Sequence, residues 1–315
     1  MPRKIVIALG GHALSPLGER ADIHTQFRHT RDSLGAVVEF AREGWGIVIV
    51  HGNGPQVGDA LDRNEMAHDR VAPLPLGVLV AATAGWIGYM IQQSLQNELH
   101  HAGVERDVLT VITQTVVDRA DPALLHPTKP IGHELPPEFV ERLQQRGAVV
   151  GQDGRGRWRR LAPSPTPTDV IEADAVRQLV GEGKIVVAAG GGGPPVYADE
   201  RGYWEGVDAV VDKDRTAAVL GARVDADTLL ILTDVDAVYR GWGTSDATPL
   251  RRLRVKEAEG LLAGDVLGVG SMRPKVEAAV TFLKRGGRHA FIAHLAAGLA
   301  ATRGETGTMI TGVET

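Results

Sequence analysis

Cysteine is absent from all 315 residues, which excludes disulfides, thiolate metal sites and thiol nucleophiles and suits an intracellular protein. An excess of positive charge is also missing. The formal net charge is −5, so no broad basic field draws in a polynucleotide, and no nucleic-acid partner is expected. No charged stretch followed by a long apolar run and a small-residue cleavage site opens the chain, and a cytoplasmic protein is expected. The longest apolar run, "PLGVLVAATAGWIGYMI", is shorter than the ~20 residues a membrane-spanning helix needs. It reads as a buried core helix, and no membrane partner is expected. Repeats and low-complexity tracts are lacking too. Neither GxxxxGK[ST] nor a GxGxxG with its downstream acid occurs, which removes the two commonest nucleotide-binding loops.

What is present is an alternation. Short β-branched runs arrive at glycine-rich turns and give way to longer amphipathic segments, the pattern of a mostly parallel α/β sheet. Strands are predicted at Lys4–Leu9, Gly46–Val50, Val108–Thr113, Ile185–Ala189, Thr228–Thr233 and His289–Ile292. Val80, Ala84, Ile87, Ile91 and Leu95 recur at helical spacing. In "DVIEADAVRQLVGEG", Asp169 is expected to cap a helix with Glu172 three residues on, Ile171, Ala175 and Leu179 to face the core, and Gly181 and Gly183 to end it. Residues 118–166 are proline-dense and interrupt the rhythm. They are expected to form an inserted, protruding subdomain, a candidate lid, within a single domain spanning 1–315; "GQDGRGRWRRLAP" inside it suggests a strand pair or an exposed excursion rather than a helix.

Four glycine-bearing turns adjoin predicted elements: "LGGHAL", "HGNGPQVG", "AGGGGPPV" and "GSMRPK". Glycine lets backbone N–H groups converge on an anion, and a following helix adds the positive end of its dipole. Singly, each is compatible with an ordinary tight turn. Together they matter, because strand ends in a parallel sheet share one edge and meet in a common crevice. Lysine is scarce beside arginine, and three lysines flank special turns: Lys129 in "HPTKPIG", Lys213 in "VDKD" and Lys275 in "GSMRPK". Phosphoryl transfer asks a protein mainly for positive charge and alignment. A lone lysine is more often a solvated surface residue, but Lys213 lies between Asp212 and Asp214, and a carboxylate can fix an ammonium's direction. Asp234 ends an apolar strand, a position suited both to a site acid and to capping.

The strings "ALGGHAL", "VHGNGPQVG", "GWIGYMIQQ", "VITQTVVDRADPALLHPTKPIG", "APSPTP", "AAGGGGPPV", "GVDAVVDKDRTAAVLG", "ADTLLILTDVDAVY", "GSMRPKVEAA", "IAHL" and "GETGT" together resemble the carbamate kinase branch of the amino-acid kinase family. The resemblance runs in order over the whole chain. It implies a three-layer αβα sandwich with a mostly parallel central sheet and a small protruding subdomain, a homodimer, and reversible transfer between carbamoyl phosphate plus ADP and carbamate plus ATP with Mg²⁺. It further implies that Gly10, Gly11, His12, Gly52, Asn53 and Gly54 hold the phosphoryl and carbamoyl end. Lys129, Lys213 and Lys275 would contact the transferring group, with Asp214 organising the lysines. Gly190, Gly191, Gly192, Asp234, Tyr239 and Met272 would border the nucleotide. No residue would serve as metal ligand or general base.

Four positions depart from the pattern of the family. His12 stands where asparagine is usual, Gly77 where aspartate is, Ala84 where glutamine is, and Arg273 where glycine is. In the asparagine position a neutral imidazole N–H can replace the amide donor, and a protonated one adds charge near pH 6 to 7. His12 is expected to contact substrate, with a satisfied structural histidine as the alternative; His51 also stands at a strand end, but no third ligand at suitable spacing makes the pair a zinc site. Arg273 is expected to grip a phosphate or narrow access to the nucleotide. The changes at 77 and 84 bear on the acceptor, which keeps a kinase for another small carboxylate, phosphonate or carbamate-like acid open. A non-catalytic sensor of nucleotide or carbamoyl phosphate is the reading from another class.

Overall fold

A computed structural model describes residues 2–14, 22–264, 267 and 272–312, apart from the side chains of His12 and Ala13. At its centre is an eight-stranded sheet in the order β15-β17-β16-β12-β1-β2-β9-β3. The middle strands are Lys4–Leu9 (β1), Gly46–His51 (β2), Ile185–Val187 (β9) and Thr228–Thr233 (β12). Toward the edges lie Val108–Thr110 (β3), Arg252–Arg254 (β15), His289–His294 (β16) and Thr308–Thr311 (β17). Every neighbouring pair is parallel except β16 with β17.

Both faces are covered, which is why these strands are continuously apolar rather than alternating. Successive side chains of β1 point to opposite faces. Ile5, Ile7 and Leu9 join a core with large side chains from Gly35–Arg42 (α3) and Leu76–His101 (α5), including Phe40, Met90 and Ile91. Val6 and Ala8 join the other core, with Ala173–Gly181 (α7), Lys213–Arg223 (α8), Val255–Ala263 (α9) and Met272–Lys284 (α10). Gly221 lets α8 and α10 sit close: a β-carbon on it would stand 2.9 Å from the Phe282 ring. Short helices Gly11–Leu14 (α1), Ile23–Ser33 (α2) and Gly298–Thr302 (α11) complete the α3 side. The apolar run beginning at Pro75 is the first half of α5, as its composition suggested.

Two smaller sheets lie beside this body. Thr115–Val117 (β4), Pro167–Val170 (β8), Pro195–Ala198 (β10) and Trp204–Gly206 (β11) pair in the order β11-β10-β4-β8, and Val238–Arg240 (β13) pairs with Thr248–Leu250 (β14). Gly54–Ala67 (α4) precedes α5 and faces a lobe. The lobe is an antiparallel sheet of Lys129–Ile131 (β5), Trp158–Ala162 (β7) and Val150–Gln152 (β6), with Pro137–Gln145 (α6) packed on it through Leu135, Val140 and Leu143. β6 and β7 are the strand pair expected from "GQDGRGRWRRLAP".

Several local expectations need correction. The strand expected to reach Thr113 ends at Thr110, because Thr113 turns its hydroxyl to the Ala189 N–H at 2.9 Å and the chain then enters β4. Asp169 does not cap a helix. It sits in β8, paired with Arg223, while Glu172 takes the cap position of α7 and accepts from Gln114. The buried stripe of α7 is therefore Ala173, Val176 and Val180, with Leu179 half-buried and Ala175 exposed.

Candidate active site

Four turns leave the same edge of the central sheet, after β1, β2, β9 and β12. The first two nest. A β-carbon on Gly52 would stand 2.8 Å from the Gly11 nitrogen and 3.2 Å from Cδ of Lys213, so only a glycine admits both the neighbouring loop and the lysine stem. Gly10 lies beside the Leu232 carbonyl at the end of β12. Gly54 opens α4, and the amides of that helix's first turn have no acceptor within the helix. Asn53 is 2% exposed, and its Nδ2 donates to Thr83 Oγ1 of α5 at 2.9 Å. Its side chain thus ties the β2 turn to α5. The side chain of His12 lies outside the described residues.

At the start of α8 five charges converge. Lys213 Nζ donates to Asp214 Oδ1, and Lys275 Nζ, from the first turn of α10, lies 3.5 Å from Asp214 Oδ2. The Asp214 side chain is 3% exposed, a burial that a carboxylate tolerates when paired. Lys129 reaches in from β5: its Nζ donates to the Val211 carbonyl at 2.9 Å and lies 3.6 Å from Asp212 Oδ2. Burial pulls the Lys129 ammonium below the usual lysine pKa, with Asp212 and Asp214 opposing. Asp212 is held well below the usual carboxylate range by Lys129, Lys213 and Lys275 against the opposing effect of burial. Three ammonium groups against two carboxylates leave a net charge of +1, which suits an incoming polyanion. Asp212 was read in the sequence as a neighbour of Lys213; it faces Lys129.

Gly190–Gly192, which the resemblance implies border the nucleotide, form a closely packed turn after β9. They are buried, and β-carbons there would strike His51 Nε2 at 2.5 Å, Asn53 Nδ2 at 2.3 Å and the Val211 carbonyl at 2.5 Å. The Gly192 carbonyl accepts from Thr115 at 2.7 Å and Thr216 at 3.1 Å, which fastens α8 to the turn. This turn follows β9, three strand spacings or roughly 14 Å from the end of β12. Asp234 is exposed at that β12 end, accepting from Thr233. Tyr239 donates to Asp236 at 2.8 Å, and its ring meets Trp242 edge-on at 5.1 Å. Trp242, 56% exposed, carries no sequence motif and escaped the sequence reading. Met272 is half-buried at the start of α10.

Three of the unusual residues take on structural roles. The Arg273 guanidinium is engaged by backbone: Nη1 donates to Leu262 O at 2.7 Å and Nη2 to Gly264 O at 3.1 Å, capping the end of α9. The Gly77 N–H donates to Asp208 Oδ1 at 3.0 Å, so Asp208 supplies a carboxylate at the start of α5, and a β-carbon at 77 would stand 2.9 Å from the Val207 carbonyl. Ala84 is buried under Gly190 beside His51. A cleft of about 880 Å³ opens at the opposite edge of the sheet among Trp45, Asp107 and Lys184. It holds none of the three site lysines, and Arg106 there is engaged with the carbonyls of Trp45 and Gly183.

The amino acid kinase family profile matches residues 3–294. The chain belongs to that family. It is 44% identical to the carbamate kinase of Pyrococcus horikoshii over 99% of this chain and 100% of the relative. Carbamate kinase from Giardia lamblia bound to citric acid superposes with a TM-score of 0.93 at 31% identity, over 99% of each chain. The same enzyme bound to AMP-PNP gives 0.90 at 32% identity, again over 99% of each chain. These likenesses identify a carbamate kinase-like phosphotransferase with a large, mostly parallel sheet between helices, as the strand-and-glycine rhythm implied. Among the described residues no helix is long and apolar enough to cross a membrane.

Proposed function

We propose that the chain transfers a phosphoryl group reversibly between carbamoyl phosphate plus ADP and carbamate plus ATP. The observation that carries the reading is the lysine cluster: Lys213 and Lys275 share Asp214 at the head of α8, and Lys129 joins from the lobe. In the ATP-consuming direction a carbamate oxygen attacks the γ-phosphorus, the bond to the bridging oxygen breaks, and ADP leaves with its electrons. The attacking oxygen is already anionic, so no proton has to be removed and catalysis reduces to charge neutralisation and alignment. Lys213 and Lys275 stabilise the equatorial oxygens, Lys129 acts from the lobe side, and Asp214 holds two of the ammonium groups apart. Amides at Gly11 and Gly54 orient the carbamoyl end.

The nucleotide lies along the β12 end, where Asp234, Tyr239 and Met272 border it and Trp242 extends the aromatic surface. Among the described residues no three acidic or histidine side chains gather to hold a metal, and both site carboxylates are paired with lysines. That donor set fits Mg²⁺ entering on the phosphates of its nucleotide, as this ion usually does. Bound there, it would screen phosphate charge. The lobe serves as a lid that delivers Lys129. A homodimer fits the exposed Tyr89 and Ile112, which flank Gly85 beside the β3 edge. The absence of cysteine agrees with a cytoplasmic setting.

The test is acceptor identity. Purified protein with Mg²⁺ and ADP is given carbamoyl phosphate or acetyl phosphate, and ATP is followed by a coupled assay. Rapid ATP formation from carbamoyl phosphate supports the reading. Preference for acetyl phosphate moves the assignment to another small acid, and nucleotide binding with no turnover on either supports a sensor.

A further inference from the structure

The first aspartate of "VDKD", Asp212, both faces Lys129 and caps α8. We propose that Asp212 is a positioning residue, which holds the Lys129 ammonium against the head of α8 and so couples the seating of the lobe to the charge at the phosphoryl site. The inference rests on the reading that Lys129 acts on the transferring group.

One carboxylate performs two tasks here. Asp212 Oδ1 accepts the N–H groups of Asp214 at 3.0 Å and Arg215 at 3.3 Å, which orders the first turn of α8. Oδ2 faces Lys129 Nζ at 3.6 Å. The ammonium has three N–H groups. One is given to Val211 O at 2.9 Å and one is directed at Asp212, which leaves the third for a ligand. Lys129 belongs to the lobe and Asp212 to the central body, so the pair spans the two. Residues 211 and 212 thus form a two-point socket that fixes where the lysine ends.

Charge balance gives Asp212 a second effect. Lys129 faces Asp212, Asp214 and Lys213. Charged groups on the elements packed against β5 are occupied with one another: Arg159 of β7 with Asp153, Arg160 with Glu65 of α4, and His133 with Asp59. Asp62 of α4 faces Arg160 and His133. Removing the charge of Asp212 would leave three ammonium groups sharing Asp214, and Lys129 would give up its proton at lower pH.

Asp212→Asn tests this, since an amide oxygen still caps α8 but carries no charge. ATP formation is measured from pH 6 to 10 in the wild type, Asp212→Asn, Lys129→Ala and Asp212→Asn/Lys129→Arg. The expectation for Asp212→Asn is a fall in kcat of about tenfold or more, with KM for ADP within about threefold. Its alkaline limb should move down by about one pH unit. Adding Lys129→Arg should abolish that shift, because a guanidinium keeps its proton across the range. Should Asp212→Asn fold poorly, Asp212→Ser, which caps through a hydroxyl, carries the same expectation. Wild-type kcat and an unmoved limb in a folded Asp212 variant, beside an inactive Lys129→Ala, would overturn the positioning role alone. An active Lys129→Ala would overturn the reading of Lys129, and this inference with it.

Discussion

Gly58 of α4 and Gly132 of the lobe meet backbone against backbone: a β-carbon on Gly58 would stand 1.9 Å from Gly132 Cα, where φ is +72°. Beside this contact the Gly132 N–H donates to Gly54 O at 2.9 Å, and Arg159 donates to Gly132 O at 2.5 Å. The seat lies three residues from Lys129, so the position of the lobe on α4 sets the reach of that lysine.

Gly58→Ala should therefore lift the lobe without unfolding the body. Turnover is expected to fall by roughly 10- to 100-fold, since a displacement near 1 Å can cost that much. KM for ADP should change little, because the proposed nucleotide border is at the β12 end. Steady-state kinetics with circular dichroism checks both, and a variant with full turnover would show that the lobe does not deliver Lys129.

The cap formed by Arg273 predicts a stability effect and no kinetic one. Arg273→Gly leaves the carbonyls of Leu262 and Gly264 without their donor, at a cost of roughly 1–2 kcal/mol. Tm should drop by about 2–4 °C, with kcat/KM for ADP within about threefold. A large rise in KM for ADP at unchanged Tm would restore the phosphate-gripping role.

His51 predicts a pH dependence of stability. It is fully buried, its Nδ1 lies 3.0 Å from Gly52 O, and burial pushes its pKa down from 6.5 to about 4. Between those values the unfolded chain binds a proton that the folded chain refuses, so stability is full above pH 6.5 and is lost as pH falls toward 4. The loss by pH 5 is roughly 2 kcal/mol. Urea denaturation at pH 7 and pH 5 should show it in the wild type, and His51→Asn should show a smaller difference. Equal slopes for the two proteins would mean that His51 does not set the dependence.

The sheet and the lysines were legible because their signals are local. β-branched runs ending in glycine announce parallel strands whose ends share an edge, and Lys213 beside two aspartates announces a charge centre. Relations between distant parts of the chain were not legible. Lys129 and Asp212 are 83 residues apart, and nothing in "VDKD" says which aspartate faces which lysine. The carbonyls that occupy Arg273 belong to a different helix, so its cap was invisible and its charge invited a phosphate. Asp169 with Glu172 imitates a capping box, yet strand pairing of β8 with β4 and the ion pair to Arg223 prevail over that local preference. The glycines at 190–192 do serve close backbone approach, as glycine does, but what approaches them is Asn53, His51 and Val211. β17 is four residues long and begins after a glycine turn, too short a run to be read as a strand.

In the proposed mechanism, charge held at the head of α8 does the chemistry while the nucleotide is bound elsewhere. Its most direct test is Lys213→Ala, with ADP affinity from calorimetry and ATP formation from carbamoyl phosphate measured on the same folded preparation. ADP binding is expected within a few-fold of wild type and turnover lower by about 1,000-fold or more. Turnover near the wild-type value, or a loss of ADP binding as large as the loss of turnover, would contradict it.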